Sequence, residues 1–268
     1  MTQFSIVTIN WNNLAGLKAT YQSVRRQTYR NFRWIVIDGA SDDGAAEWLA
    51  KLDDPQAEIT CEPDRGLYDG MNKGLERAIT TPGYTLFLNS GDCFADAQVL
   101  EKVARAIESA EPAPRYVYGN YLLQTGSGRL IPAFAKPIER LYVGMPSSHQ
   151  AMYFENTHLS TVRFRDDYKL SADYCMIIEF TNGLDRQRDV LRLDQTLCIF
   201  DLTGVSEKKR FAAIREDVLI RERFMGLPAY KNYVLWALHY VHAYIKLFKA
   251  AMDKRLAKDS SNNKLRTV

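Results

Sequence analysis

The sequence predicts an α/β domain with a central, mostly parallel sheet flanked by helices, followed by a C-terminal helical extension. Short β-branched runs alternate with amphipathic stretches through the first half of the chain, and each run ends in a polar, turn-forming cluster. From about Lys208 onward the pattern turns helical.

The first run, Phe4 to Ile9, leads through Asn10-Trp11-Asn12-Asn13 into an amphipathic helix expected from Leu14 to Gln27. The second, Phe32 to Ile37, ends at Asp38-Gly39-Ala40-Ser41-Asp42-Asp43-Gly44, and a helix is expected from Ala45 to Leu52. Ile59 to Glu62 reads as a third strand, Met71 to Ile79 as a third helix, and Tyr84 to Leu88 as a fourth strand before Ser90-Gly91-Asp92. Farther on, Tyr116 to Gln124 and Arg129 to Phe134 read as strands around Thr125-Gly126-Ser127-Gly128. Ala151 to Phe154 reads as another strand and Ala172 to Asn182 as a helix. The expected organisation is a nucleotide-binding domain over residues 1–206, a helical extension over 207–258 and a disordered tail over 259–268.

With 46% apolar and 25% charged residues the composition is that of an ordinary globular protein, and a net charge of +3 gives no reason to expect nucleic acid as a partner. Cys61, Cys93, Cys175 and Cys198 form no CxxC pair, so neither zinc nor a disulfide framework is expected. Met1-Thr2-Gln3 runs straight into an apolar strand without a signal-like pattern. The longest stretch lacking Lys, Arg, Asp and Glu near the C-terminus, Asn232 to Ile245, falls short of the ~20 apolar residues of a spanning helix. A cytoplasmic location is expected.

In parallel sheets ligands bind beyond the carboxyl ends of the strands, so the turns after Ile9, Ile37 and Leu88 should converge on one cleft. Asp92 follows a buried strand, where a carboxylate suits a hard divalent cation shared with substrate phosphates; an aspartate at such a position also commonly caps a turn. Asp38 is placed to accept hydrogen bonds from a nucleobase or ribose. The segment Glu62 to Gly74 holds three glycines that allow close passage of a ligand, with Arg65 and Lys73 available to phosphates.

Ser5 to Asn12, Val36 to Gly44, Gly66 to Gly74 and Phe87 to Asp92, in that order, resemble the motifs of family 2 glycosyltransferases, which have the GT-A fold. Asp69-Gly70-Met71-Asn72-Lys73-Gly74, Leu88 to Asp92, Ser148-His149-Gln150-Ala151 and Ser171-Ala172-Asp173-Tyr174 are most similar to the branch that assembles colanic acid and related exopolysaccharides. The likeness spans roughly residues 4–206. It implies that Thr8, Asn10, Trp11 and Asp38 surround the nucleobase and ribose, that Asp64, Gly66, Asn72, Ser90 and His149 join the nucleotide-sugar contacts, and that Asp92 binds Mg²⁺ or Mn²⁺ on the diphosphate. Where the family usually has two or three carboxylates, this chain has Asn89-Ser90-Gly91 before a single Asp92. The resemblance makes Asp173 the base of an inverting transfer from a GDP- or UDP-sugar to a lipid-linked saccharide acceptor. Asp166 and Asp167 are its rivals, and an N-cap role is the alternative for Asp173 itself. Gly204-Val205-Ser206 resembles a mobile loop that closes over the donor.

Around Tyr233 to Phe248 the expected helix is broadly aromatic and apolar, with a narrow polar stripe of His239, His242, Lys246, Lys249 and Asp253, and Lys254, Arg255 and Lys258 follow it. Such a helix either packs on protein or lies in the headgroup layer of an anionic membrane, at the cytoplasmic face of the inner membrane. A homo-oligomer is compatible with the sequence. Two rival functions stand beside transfer: a nucleotide-sugar binder with weakened catalysis, suggested by the thinned acidic turn, and a sugar-nucleotide oxidoreductase. The oxidoreductase is disfavoured because Asn10-Trp11-Asn12-Asn13 is no glycine-rich dinucleotide turn.

Overall fold

A computed structural model describes residues 1–202 and 210–245. The expected loop at Gly204-Val205-Ser206, the polar stripe from Lys246 onward and the C-terminal tail lie outside the described residues. Two compact units are present, residues 1–204 and 205–268.

The strands of the first unit are β1 (Phe4–Asn10), β2 (Phe32–Asp38), β3 (Ala57–Cys61), β4 (Tyr84–Phe87), β5 (Cys93–Phe94), β6 (Tyr116–Gln124), β7 (Leu130–Ala133), β8 (Met152–Glu155) and β9 (Val190–Asp201). They form one sheet in the order β3-β2-β1-β4-β8-β6-β9-β5, with β7 paired to β6. The half made of β3, β2, β1 and β4 is parallel. β8 runs antiparallel to both β4 and β6, which makes the sheet mixed. All seven residues of β1 are buried, as expected of a central strand covered on both faces.

The helices are α1 (Leu14–Arg25), α2 (Ala45–Ala50), α3 (Leu67–Ala78), α4 (Val99–Glu108), α5 (Asn156–Leu159) and α6 (Ala172–Thr181). Asn13 starts α1 by accepting from the Gly16 N–H at 3.1 Å. On α3, Tyr68, Met71, Leu75 and Ala78 recur at helical spacing and are buried. A Cβ on Gly74 would come within 2.3 Å of Val7 Cγ1, so this glycine lets α3 lie against β1. Of the three glycines read as room for a ligand, Gly74 therefore makes room for packing. Gly70 likewise faces Asp64 and Ile9, and only Gly66, at φ +136°, has open space around it.

Every expected strand and helix of the first unit is present, with ends displaced by a few residues. α3 begins four residues earlier than expected, at Leu67, because Gly66 breaks the chain direction there. Four of these strands and helices have no counterpart in the sequence pattern: β5, α4, the short α5 and the twelve-residue β9.

In the second unit, α7 (Arg210–Met225) is followed by α8, residues 229–245. Arg221 Nε donates to Asn232 Oδ1 at 2.9 Å and Asn232 Nδ2 donates to the Val218 carbonyl at 2.8 Å, joining the two helices. α8 buries Asn232 and Ala243, half-buries Leu235, Trp236, His239 and Tyr240, and exposes Tyr230, Tyr233, Val234, Leu238, Val241, Tyr244 and Ile245. The apolar surface of this helix is thus divided between an inner and an outer face. His239 is half-buried with the inner set, whereas the expected polar stripe would have placed it beside exposed His242. Among the described residues, no helix is long and apolar enough to cross a membrane.

Candidate active site

The parallel register places Asn10 opposite Asp38 at the carboxyl ends of β1 and β2. Asn10 Nδ2 donates to Asp38 Oδ1 at 2.6 Å, and Ser90 Oγ donates to Asn10 Oδ1 at 2.6 Å. The three polar turns therefore meet, as the fold class requires. Asp38 is fully buried; its Oδ2 accepts the Ser41 N–H at 2.9 Å and its Oδ1 the Ser41 hydroxyl at 2.7 Å. Its carboxylate shapes the turn that a nucleotide would meet.

Trp11 is 73% exposed, an unusual state for so large an aromatic side chain, and it stands beside Gly39. A Cβ on Gly39 would meet Trp11 Cδ1 at 3.3 Å and Asp64 Oδ2 at 3.1 Å, so the indole, the glycine and the Asp64 carboxylate share one corner of the cleft. Thr8 does not reach the surface. Its hydroxyl donates to the Leu88 carbonyl at 2.7 Å and accepts Trp34 Nε1 at 2.9 Å beneath the floor. Asn72 is used on both sides by the Phe164 backbone, donating at 2.7 Å and accepting at 2.9 Å. Lys73, expected to be available to phosphates, is held by Asp64 at 2.8 Å, Glu62 at 3.0 Å and the Pro63 carbonyl at 2.9 Å. Arg65 pairs with Asp69 at 2.6 Å, and this guanidinium holds the Asp69 carboxyl below its usual range.

The Asn89 to Asp92 turn is tied down by Thr20, whose hydroxyl donates to the Asp92 carbonyl at 2.8 Å and accepts the Gly91 N–H at 3.0 Å. Gly91 has φ +103°, a region that disfavours any residue with a Cβ. Asp92 is 4% exposed; its Oδ1 accepts the Asp201 N–H at 3.0 Å and its Oδ2 accepts Gln150 Nε2 at 2.7 Å. Burial pushes its carboxyl up to about 6, against the lowering effects of the Asp201 N–H, His149 and the Gln150 amide. The Asp201 carboxylate adjoins the same turn: a Cβ on Gly91 would lie 3.6 Å from its Oδ2.

Two carboxylates at one turn are hard oxygen donors of the kind Mg²⁺ or Mn²⁺ takes together with substrate phosphates. Among the described residues, no group of three or more His, Cys, Asp or Glu side chains makes a protein-only metal cage. The donor set thus fits a cation shared with a diphosphate.

Asp173 lies in the first turn of α6, whose N-cap position is taken by Ser171 without a side-chain capping bond, so Asp173 is not the N-cap. Its Oδ1 accepts the Tyr68 hydroxyl at 3.3 Å and the Tyr174 N–H at 2.9 Å. Its Oδ2 faces His149 Nδ1 at 3.6 Å, and His149 Nε2 lies 3.3 Å from Asn89 Nδ2. One histidine therefore spans the interval between the acidic turn and Asp173. Asp166 and Asp167, the rivals of Asp173, are exposed. Beside the start of α3, a pocket of about 440 Å³ is lined in part by Arg65, Leu67, Tyr68, Phe164, Tyr168 and Lys169.

Thr20, Ser41, Tyr68, Gln150 and Asp201 join the site without having been singled out from the sequence. Ser41, Tyr68 and Gln150 lie inside the quoted motifs. Thr20 carried no signal, and Asp201 ends a strand that the sequence pattern did not announce.

A mixed sheet with a polar cleft at the carboxyl ends of its parallel strands and a buried carboxylate after β4 has the architecture of the GT-A fold. Solved structures share that fold: S. aureus TarS 1-349 with UDP-GlcNAc, at TM-score 0.63 and 14% identity over 89% of this chain and 72% of that one, and the Pyrobaculum calidifontis mannosyltransferase PcManGT with GDP-Man and Mn²⁺, at TM-score 0.62 and 14% identity over 97% and 79%. The model of Glycosyl transferase family 2 matches residues 5–158, and the chain belongs to that family. Its relatives include an uncharacterized glycosyltransferase of Mycobacterium tuberculosis, 29% identical over 90% of this chain and 89% of the relative. A PGL/p-HBAD biosynthesis glycosyltransferase of Mycobacterium bovis is 31% identical over 64% of this chain and 66% of its own length.

Proposed function

We propose that this glycosyltransferase moves one hexosyl group, with inversion, from a nucleoside-diphosphate sugar to a lipid-linked saccharide acceptor, as in the exopolysaccharide or capsule branch it resembles. The observation that carries the reading is the pairing of two unlike carboxylates across one histidine. Asp92 is buried at the end of β4, and partly exposed Asp173 faces His149 from the start of α6. Asp92 suits the diphosphate end of the donor, and Asp173 suits the hydroxyl that attacks.

In this reading Trp11 stacks on the base, with Asp64 and Gly39 at its edge and buried Asp38 shaping the turn beneath it, while Asn10 and Ser90 face the ribose and the first phosphate. Asp92, with Asp201 beside it, would hold Mg²⁺ or Mn²⁺. When bound, the cation offsets the negative charge that develops on the departing diphosphate. Asp173 takes the proton of the acceptor hydroxyl as the hydroxyl oxygen bonds to the anomeric carbon and the bond from that carbon to the diphosphate breaks. The mycobacterial relatives are glycosyltransferases, and the fold neighbours were solved with UDP-GlcNAc and with GDP-Man and Mn²⁺, so UDP- and GDP-sugars are the donors to test.

The outer face of α8 supports a peripheral place at the cytoplasmic leaflet, where a lipid-linked acceptor resides. Tyr230, Tyr233 and Tyr244 alternate with Val234, Leu238, Val241 and Ile245 on that exposed face. Tyrosine and aliphatic side chains favour the boundary between headgroups and acyl chains, and the basic residues Lys246 and Lys249 follow in the sequence.

The test is diphosphate-nucleotide release from a panel of UDP- and GDP-sugars with Mg²⁺ or Mn²⁺. Release that needs the cation and disappears in Asp92→Ala supports the reading. Tight donor binding without release in the wild type favours a binder that has lost catalysis.

A further inference from the structure

We propose that Tyr68 is a positioning residue for Asp173: its hydroxyl holds Oδ1 so that Oδ2 is the oxygen that receives the acceptor's proton. The inference rests on the base role proposed above and adds which oxygen acts and what orients it.

The two oxygens of Asp173 have different surroundings. Oδ1 accepts two hydrogen bonds, from the Tyr68 hydroxyl at 3.3 Å and the Tyr174 N–H at 2.9 Å. Oδ2 has His149 Nδ1 at 3.6 Å, too far for a direct hydrogen bond, which leaves it open to a hydroxyl. A carboxylate turns easily in a broad, two-fold torsional well, so a free aspartate would present either oxygen. Donors confined to one oxygen choose the orientation.

Tyr68 is itself fixed. Its ring stacks on Phe164 with centroids 5.8 Å apart and planes 15° from parallel, and Phe164 meets Phe87 edge-on at 5.0 Å. Both backbone groups of Phe164 are bonded to the Asn72 side chain. Asn72 stands one helical turn after Tyr68 on α3, so the two residues grip the same support from one helix face. This gives the Leu67 to Gly74 segment a task. Its asparagine holds Phe164, Phe164 holds the tyrosine ring, and the ring aims a hydroxyl at the base. Burial and the nearby Asp173 charge push the Tyr68 phenol well above its ordinary range, so it remains a donor at any pH where the enzyme works. The acceptor's O–H bond breaks toward Oδ2, the hydroxyl's electron pair forms the new bond to the anomeric carbon, and the old bond's pair leaves on the diphosphate.

Tyr68→Phe keeps the ring and its stacking and deletes only the hydroxyl. With the full chain and whichever UDP- or GDP-sugar is turned over, kcat is expected to fall about tenfold, a part of the 10²–10⁴ that a general base contributes. Donor KM and the dissociation constant of the nucleoside diphosphate should change less than twofold. In an Asp173→Asn background the same change should cost nothing further. A second readout needs no substrate: with [¹³Cζ]tyrosine in the protein, the Tyr68 signal should move on Asp173→Asn. An unchanged kcat, a rate loss matched by a loss of nucleotide affinity, an additive loss in the double variant, or an unmoved Tyr68 signal would each overturn the proposal. A wild-type chain that turns over no donor instead refutes the transfer reading on which the proposal stands.

Discussion

Replacing Asp92 by asparagine should remove a pH-dependent part of the metal-free protein's stability, together with its activity. Burial raises the Asp92 carboxyl from 3.8 to about 6. A folded value above the unfolded one means that the native state holds the proton more tightly. That contribution to stability is fully present below the unfolded value and is lost as pH rises through about 6. The shift of roughly two units corresponds to about 3 kcal/mol at most for keeping the charge buried at pH 7.5. Asparagine carries no charge at either pH. The stability of Asp92→Asn relative to wild type, from urea unfolding without metal, should therefore improve by up to about 3 kcal/mol between pH 4 and pH 7.5. Mg²⁺ with a nucleoside diphosphate should shift the gap at pH 7.5 toward the wild type by stabilising only the wild type. A gap between the two proteins that stays constant within about 0.5 kcal/mol across this range would refute the buried-charge account.

Trp11→Ala should weaken nucleotide binding roughly tenfold by calorimetry, a loss within the range of one base stacked on one aromatic ring, and leave the melting temperature unchanged because the indole is exposed. Gly74→Ala should destabilise by about 1–3 kcal/mol in urea unfolding, since the new methyl group meets Val7 in a packed interface. Val234→Glu, Leu238→Glu and Val241→Glu together should abolish sedimentation with vesicles containing anionic lipid while leaving folding intact, because all three side chains are exposed. Unchanged vesicle binding by that folded variant would leave the outer face of α8 to protein contacts.

The parallel half of the sheet was legible chiefly because β1, β2 and β4 are buried on both faces and read as continuous apolar runs between turn clusters. β5 is only two residues long, and β9 was missed because its side chains alternate irregularly in exposure, with Arg192 and Asp194 interrupting the apolar pattern. The positions of Asn10, Asp38, Ser90 and Asp92 followed from the rule that ligands meet the carboxyl ends of parallel strands. Which of the polar side chains face a ligand did not follow. Thr8, Asn72 and Lys73 carry the right chemistry, yet their hydrogen bonds are already taken up within the protein by Leu88, Phe164 and Asp64. Such bonds join residues distant in sequence, and no local pattern announces them. The same holds for Asp201, which comes beside Asp92 only through the pairing of β5 with β9.

The central claim is that Asp92 and Asp173 divide the work of transfer between the donor diphosphate and the acceptor hydroxyl. Calorimetry with the donor, paired with transfer kinetics of Asp173→Asn, tests it most directly. The account predicts donor affinity within about twofold of wild type and a transfer rate lowered by roughly 10²–10⁴. Transfer by Asp173→Asn at the wild-type rate would contradict it.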